Sequence, residues 1–156
     1  MVVSQNQASS DIGIEILNMG GNAIDAAVAV GFSLATTLPR AGNLGGGGFM
    51  LVYLSDEKKT IAVDFRSAAP KNLSNNDFLF LKNNYDQRRY GYKASGVPGT
   101  VAGLLQTHER YGKLPLKKIL QPVIKQAQEG IKVSYDLSQA IGSAEQINLD
   151  QESQNI

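Results

Sequence analysis

The sequence predicts an α+β fold in which helices cover a central β-hairpin. Three observations carry this. Residues 23–37 are alanine-rich and apolar nearly all round, the pattern of a buried helix and not of one laid on a surface. Residues 49–54 and 60–65 are two strand-like runs separated by a polar turn. Four consecutive glycines, Gly45 to Gly48, stand between the helix and the first strand. A glycine run belongs either to a flexible linker or to a backbone that something approaches closely. Both flanks read as buried, so this run is expected to be a tightly shaped loop inside a core, close to a site.

The elements follow in order. In residues 11–19, Ile12, Ile16 and Met19 share one helical face, and Gly20-Gly21 supplies a stop. Asn22 is placed to cap the next helix, with Asp25 three residues on as a variant of the capping box. The alanines of that helix, with Gly31, permit close packing, and Pro39 ends it. The strand 49–54 is apolar on both alternating faces and expects cover on both sides. In 60–65, Ile61, Val63 and Phe65 face one way, and Ala62, Asp64 and then Arg66 the other. Ser74 is a candidate cap for a short helix through Leu81. Gly96-Val97-Pro98-Gly99-Thr100 marks a sharp turn into a helix over 101–111, ended by Gly112. Residues 116–120 form a short helix, which Pro122 restarts and Gly130 closes. From Ser143 the chain is polar, without a stop signal.

Composition excludes several functions. The 156 residues carry a net charge of +1, so no global field favours nucleic acid, an anionic membrane or an acidic substrate. There is no Cys, hence no disulfide and no thiolate metal site, a composition that suits cytoplasm and periplasm equally. A single His, His108, rules out a multi-histidine metal centre. The first residues lack the charged and apolar regions of a secretory signal. The longest charge-free apolar region, residues 26–38, is shorter than the ~20 residues of a membrane span.

The individual motifs each have an ordinary reading beside a chemical one. A phosphate loop needs Gly-Lys-Ser/Thr, but Phe49 follows Gly48, and the order helix–loop–strand reverses that of a dinucleotide site. Arg88-Arg89-Tyr90-Gly91-Tyr92-Lys93 mixes cations and aromatics but lacks the basic excess of a nucleic-acid patch, and reads as a solvated loop. Thr107 and His108 are adjacent on a helix, where neighbours do not face each other, so His108 reads as a surface position and not as a general base. Arg66 is either a strand-end arginine paired with Asp64 or a carboxylate clamp, since a planar guanidinium matches a carboxylate with two parallel hydrogen bonds.

Taken together, four ordered motifs closely resemble the gamma-glutamyltranspeptidases. They are Gly20-Gly21-Asn22-Ala23-Ile24-Asp25-Ala26-Ala27-Val28-Ala29, then Pro39-Arg40-Ala41-Gly42-Asn43-Leu44-Gly45-Gly46-Gly47-Gly48-Phe49-Met50, then Asp64-Phe65-Arg66, then Gly96-Val97-Pro98-Gly99-Thr100-Val101-Ala102-Gly103. Tyr111-Gly112, Pro115-Leu116 and Gln121-Pro122 extend the match. The resemblance implies an αββα sandwich of the N-terminal-nucleophile hydrolase type, with residues 1–156 an incomplete N-terminal portion of the large subunit and no separate second domain. It implies transfer of a γ-glutamyl group from glutathione or related γ-glutamyl compounds to water, amino acids or peptides. The acyl-enzyme forms on a threonine freed by self-cleavage, whose own amine is the base. That threonine, an oxyanion-hole glycine pair and the α-amino contacts lie downstream, so the resemblance implies no catalytic residue in 1–156 and an inactive fragment. Only the arginine that binds the α-carboxylate carries over, onto Arg66. The family usually has Glu next, where Ser67 stands here. The resemblance further implies no metal or organic cofactor. The partners it implies are the rest of the large subunit and the small catalytic subunit, in a periplasmic or extracellular enzyme. Met1 then reads as an internal methionine of a truncated reading frame. The alternatives are a related acylase acting on a cephalosporin or poly-γ-glutamate amide, and a non-catalytic fragment that binds acidic ligands or a partner subunit.

Overall fold

The computed structural model describes residues 1–84 and 94–144. The motif at 88–93 and the tail from 145 lie outside the described residues. In chain order the elements are α1 Gln7–Asn18, α2 Ala23–Thr37, β1 Phe49–Leu54, β2 Lys59–Asp64, α3 Asn75–Asn83, α4 Thr100–Tyr111, α5 Leu116–Glu129 and α6 Tyr135–Ala144. They fall into two compact units: Met1–Ser67 with Pro98–Lys132, and Ala68–Val97 with Val133–Ile156.

The first unit is built around α2. Asn22 caps it: its side-chain oxygen accepts from the N–H of Ile24 at 3.0 Å and of Asp25 at 2.9 Å, while Asp25 accepts from the Asn22 N–H at 3.0 Å. This is the expected capping box, and the helix runs over the expected residues. Its small residues permit close approach, since a Cβ on Gly31 would meet Leu104 Cδ1 at 3.0 Å. Packed on α2 are α1, α4 and α5. The core consists of Ile12, Ile16, Ile24, Ala26, Val28, Ala29, Leu104, Ile119 and Val123.

Helices α1 and α5 depart furthest from the sequence reading. Helix α1 starts at Gln7, not at 11, because Asn6 caps it by accepting from the Ala8 N–H at 2.9 Å. Its first turn buries hydroxyls in place of hydrocarbon: Ser9 Oγ lies 2.7 Å from Ser33 Oγ and 2.8 Å from Thr37 Oγ1. Apolar periodicity does not register such positions. Helix α5 runs unbroken through Pro122. Proline removes one helical bond. Here Ile119 and Val123, buried on either side of it, keep both halves on the same core face.

The hairpin is antiparallel, with Phe49 opposite Asp64 and Leu54 opposite Lys59. The second strand begins one residue earlier than expected, and Lys58 takes the left-handed conformation that closes the turn, at φ 49°. Alternation in β2 has the expected phase. In β1, however, only one face is covered. Met50, Val52 and Leu54 pack against the core, while Phe49, Leu51 and Tyr53 are 68%, 77% and 65% exposed. Cover on both faces is expected of the complete sandwich; among the described residues one face is covered and the other stands open, as expected of a part of it. An exposed apolar face flanked by unpaired strand edges favours association. The 156-residue chain is expected to self-associate in size-exclusion chromatography, and Leu51→Lys with Tyr53→Lys to shift it toward the monomer. A concentration-independent monomer for the unaltered chain would contradict this.

In the second unit, Ser74 caps α3 as expected, its Oγ accepting from the Asp77 N–H at 3.2 Å and its N–H donating to Asp77 Oδ2 at 3.1 Å. Ala68 and Val97 form an antiparallel bridge, with N–H to C=O distances of 3.1 and 2.8 Å. The sequence reading missed α6. Its start carries a weak cap, in which Ser134 Oγ accepts from the Leu137 N–H at 3.2 Å.

Candidate functional site

Arg66 directly follows β2, where the hairpin meets the glycine loop. Beyond the last named pair the strands continue by one rung: Phe65 N–H donates to the Gly48 carbonyl at 3.0 Å, and Gly48 N–H to the Phe65 carbonyl at 3.3 Å. The loop is also tied to the first turn of α4. The Gly46 carbonyl accepts from the N–H groups of Gly99 at 2.9 Å and Thr100 at 3.1 Å. The glycine run is thus a shaped loop with defined partners, as expected, but it does not lie inside a core and its flanks are not buried: Gly45 and Gly47 are exposed, and Leu44 and Phe49 are 47% and 68% exposed. It holds the residues before Arg66 on one side and the start of α4 on the other.

The Asp64 carboxylate accepts from the backbone N–H of Arg66 at 2.9 Å and makes no ion pair with its guanidinium. Arg66 is exposed, and among the described residues its guanidinium has no hydrogen-bond or ion-pair partner. A fixed backbone carrying an unengaged planar cation has the chemistry to receive a carboxylate through two N–H···O bonds.

His108 is not the surface position expected of it. Its side chain is 13% exposed, with Nε2 2.8 Å from the Leu114 carbonyl and 3.6 Å from Asp25 Oδ1. Thr107 is buried and donates to the Gly103 carbonyl at 2.7 Å, so the pair does not act together as nucleophile and base. Asp25, fully buried, also accepts from the backbone N–H of Lys113 at 3.0 Å and of Leu114 at 3.1 Å. Sequence reasoning found Asp25 only as a cap. Its other partners lie 88 and 89 residues away, and no local pattern reveals them. This cluster joins the start of α2 to the α4–α5 connection. Among the described residues, no three His, Cys, Asp or Glu side chains are grouped to hold a metal ion.

The sequence profile of the family described as gamma-glutamyltranspeptidase matches residues 9–156. The chain belongs to the gamma-glutamyltranspeptidase family. A glutathione hydrolase proenzyme of Escherichia coli is 47% identical over 140 residues, covering 88% of this chain and 24% of that protein. The corresponding Pseudomonas aeruginosa proenzyme is 45% identical over 135 residues, with 85% and 24% covered. The crystal structure of Helicobacter pylori gamma-glutamyltranspeptidase superposes with a TM-score of 0.84 at 40% identity, over 92% of this chain and 42% of that one. The chain therefore spans about a quarter of the length of the curated relatives it matches. Its fold is the α+β fold of this family, of the N-terminal-nucleophile hydrolase type, of which this chain is a part. No helix among the described residues is long and apolar enough to cross a membrane.

Proposed function

We propose that this chain is the N-terminal part of the large subunit of an enzyme that moves a γ-glutamyl group from glutathione, or a related donor, to water or to an amino acid or peptide. Family membership over residues 9–156 supports the reaction class. The observation within the chain that carries the reading is Arg66, a cation on a rigid backbone with no protein partner among the described residues. Arg66 receives the α-carboxylate of the γ-glutamyl donor and fixes the distance from that carboxylate to the γ-carbonyl.

The bond-making steps belong to a threonine downstream of Ile156, at the N-terminus of the small subunit. Its hydroxyl attacks the γ-carbonyl, its α-amine takes the proton and passes it to the leaving nitrogen, and the C–N bond breaks to release the amine as the γ-glutamyl ester forms. Water or an acceptor amine then attacks the ester and regenerates the threonine. These residues need no metal or organic cofactor. The rest of the large subunit and the small subunit complete the site, and the assembled enzyme works in the periplasm or outside the cell.

The test uses a γ-glutamyl anilide as donor. The complete, self-processed protein is expected to release the aniline, faster when a dipeptide acceptor is added. The 156-residue chain by itself is expected to show no release above buffer, because loss of a nucleophile costs several orders of magnitude in rate. Turnover by the chain alone, abolished by a substitution within it, would overturn the placement of the nucleophile. A complete protein that ignores γ-glutamyl anilides but cleaves another amide would replace the donor assignment.

A further inference from the structure

Two glycines, Gly47 and Gly99, press on the peptide groups on either side of Arg66, and two more, Gly48 and Gly103, on the Phe65 side chain. A Cβ built on Gly47 would collide with the Ser67 N–H and stand 2.7 Å from the Phe65 carbonyl oxygen and 2.8 Å from the Arg66 carbonyl carbon. One on Gly99 would collide with the Phe65 oxygen and stand 2.9 Å from its carbonyl carbon. One on Gly103, in the first turn of α4, would collide with Cβ and Cγ of Phe65. Gly48 faces the Phe65 ring, at 2.9 Å from Cε2. The other half of the run differs: at Gly45 and Gly46 the nearest atom is Asn43 Oδ1, at 3.5 and 3.4 Å. The four-residue run therefore has a half with room for a Cβ and a half pressed against Phe65-Arg66-Ser67.

We propose that Gly47, Gly99 and Gly103 are positioning residues for Arg66: their missing side chains let the loop and the first turn of α4 close on residues 65–67 and fix the direction in which the guanidinium leaves the backbone. The proposal rests on the assignment of Arg66 to the donor's α-carboxylate and adds what sets its aim. Asp64, accepting from the Arg66 N–H, holds the same segment from a further side. With the backbone held by Gly47, Gly99 and Asp64 and the side chain unengaged, a displacement at residues 65–67 is delivered to the guanidinium. A misplacement of about 1 Å in a positioning group costs about 100-fold in rate.

The experiment compares two donors in the complete, processed enzyme: a γ-glutamyl anilide and its decarboxylated counterpart, the 4-aminobutyryl anilide. Rates are taken per processed active site. Arg66→Ala sets the value of kcat/KM discrimination without the clamp. Gly45→Ala is expected to keep wild-type discrimination. Gly47→Ala is expected to lower kcat/KM for the γ-glutamyl donor by about 100-fold, and to change the decarboxylated donor by less than about threefold, under 1 kcal/mol. Gly48→Ala meets the Phe65 ring at its Cε2 and Cζ, while Gly103 closes on its Cβ, Cγ and Cδ1, so the ring passes the push on to residue 65; the loss of discrimination is expected to be roughly tenfold, since the displacement is smaller. If Gly47→Ala does not process, the Gly48→Ala value decides. Equal losses for both donors, or unchanged discrimination in Gly48→Ala, would overturn the positioning role. Unchanged discrimination in Arg66→Ala would instead overturn the clamp assignment beneath it.

Discussion

Arg66→Ala in the complete, processed enzyme is expected to lower kcat/KM for γ-glutamyl donors by about 30- to several-thousand-fold. Leaving a covered carboxylate unpaired costs about 2–5 kcal/mol, at 1.4 kcal/mol per decade. The size depends on cover. An arginine as open as Arg66 is within these residues gives an ion pair of about 0–1 kcal/mol. A large effect therefore requires that substrate and the remainder of the enzyme remove both charges from water, and the measured loss reports how completely they do so. Arg66→Lys is expected to recover only part of the loss, because an ammonium lacks the two-bond fork. Decarboxylated donors are expected to be poor substrates of the unaltered enzyme and nearly indifferent to the substitution. A kcat/KM within about threefold of wild type, well under 1 kcal/mol, leaves Arg66 a surface arginine.

Asp25→Ala is expected to be the most destabilising single change in the first unit. The carboxylate is fully buried and accepts from three backbone N–H groups, those of Asn22, Lys113 and Leu114, with His108 Nε2 at 3.6 Å. Each buried donor left without an acceptor costs about 1–3 kcal/mol, and removing one member of a buried charged cluster costs about 3–5 kcal/mol. At about 2–4 °C per kcal/mol for a domain of this size, the unfolding midpoint is expected to fall by roughly 6–20 °C. Asp25→Asn keeps one acceptor oxygen and is expected to fall between Ala and wild type. A midpoint within about 2 °C of wild type for Asp25→Ala, well under the cost of one orphaned donor, would show that water replaces the lost acceptor.

Local chemistry made much of the first unit legible. The Asn22–Asp25 capping box, the buried α2, the phase of β2 and the Gly99–Gly112 limits of α4 all follow from signals within a few residues of each other. What escaped depends on distant partners or on polar burial. The first turn of α1 buries Ser9 against Ser33 and Thr37, and hydroxyls do not register in an apolar pattern. Pro122 reads as a break, yet packing of Ile119 and Val123 carries α5 through it. His108 reads as surface because its partners, Asp25 and the Leu114 carbonyl, come from other elements. Which face of β1 stands open was not legible, because Phe49, Leu51 and Tyr53 are as apolar as the covered Met50, Val52 and Leu54. At the candidate site, motif order singled out Arg66, and the glycine run pointed to a shaped loop. The division of that run into a half with room for a Cβ and a pressed half appears only in three dimensions, where Phe65-Arg66-Ser67 comes against Gly47 and Gly48.

The most direct measurement is a crystal structure of the complete enzyme with glutamate bound in the donor site. The account predicts two hydrogen bonds from the Arg66 guanidinium to the two oxygens of the α-carboxylate, at about 2.7–2.9 Å, with Gly47 and Gly99 still closed on residues 65–67. Glutamate bound with its α-carboxylate on other groups and the Arg66 guanidinium in solvent would contradict it.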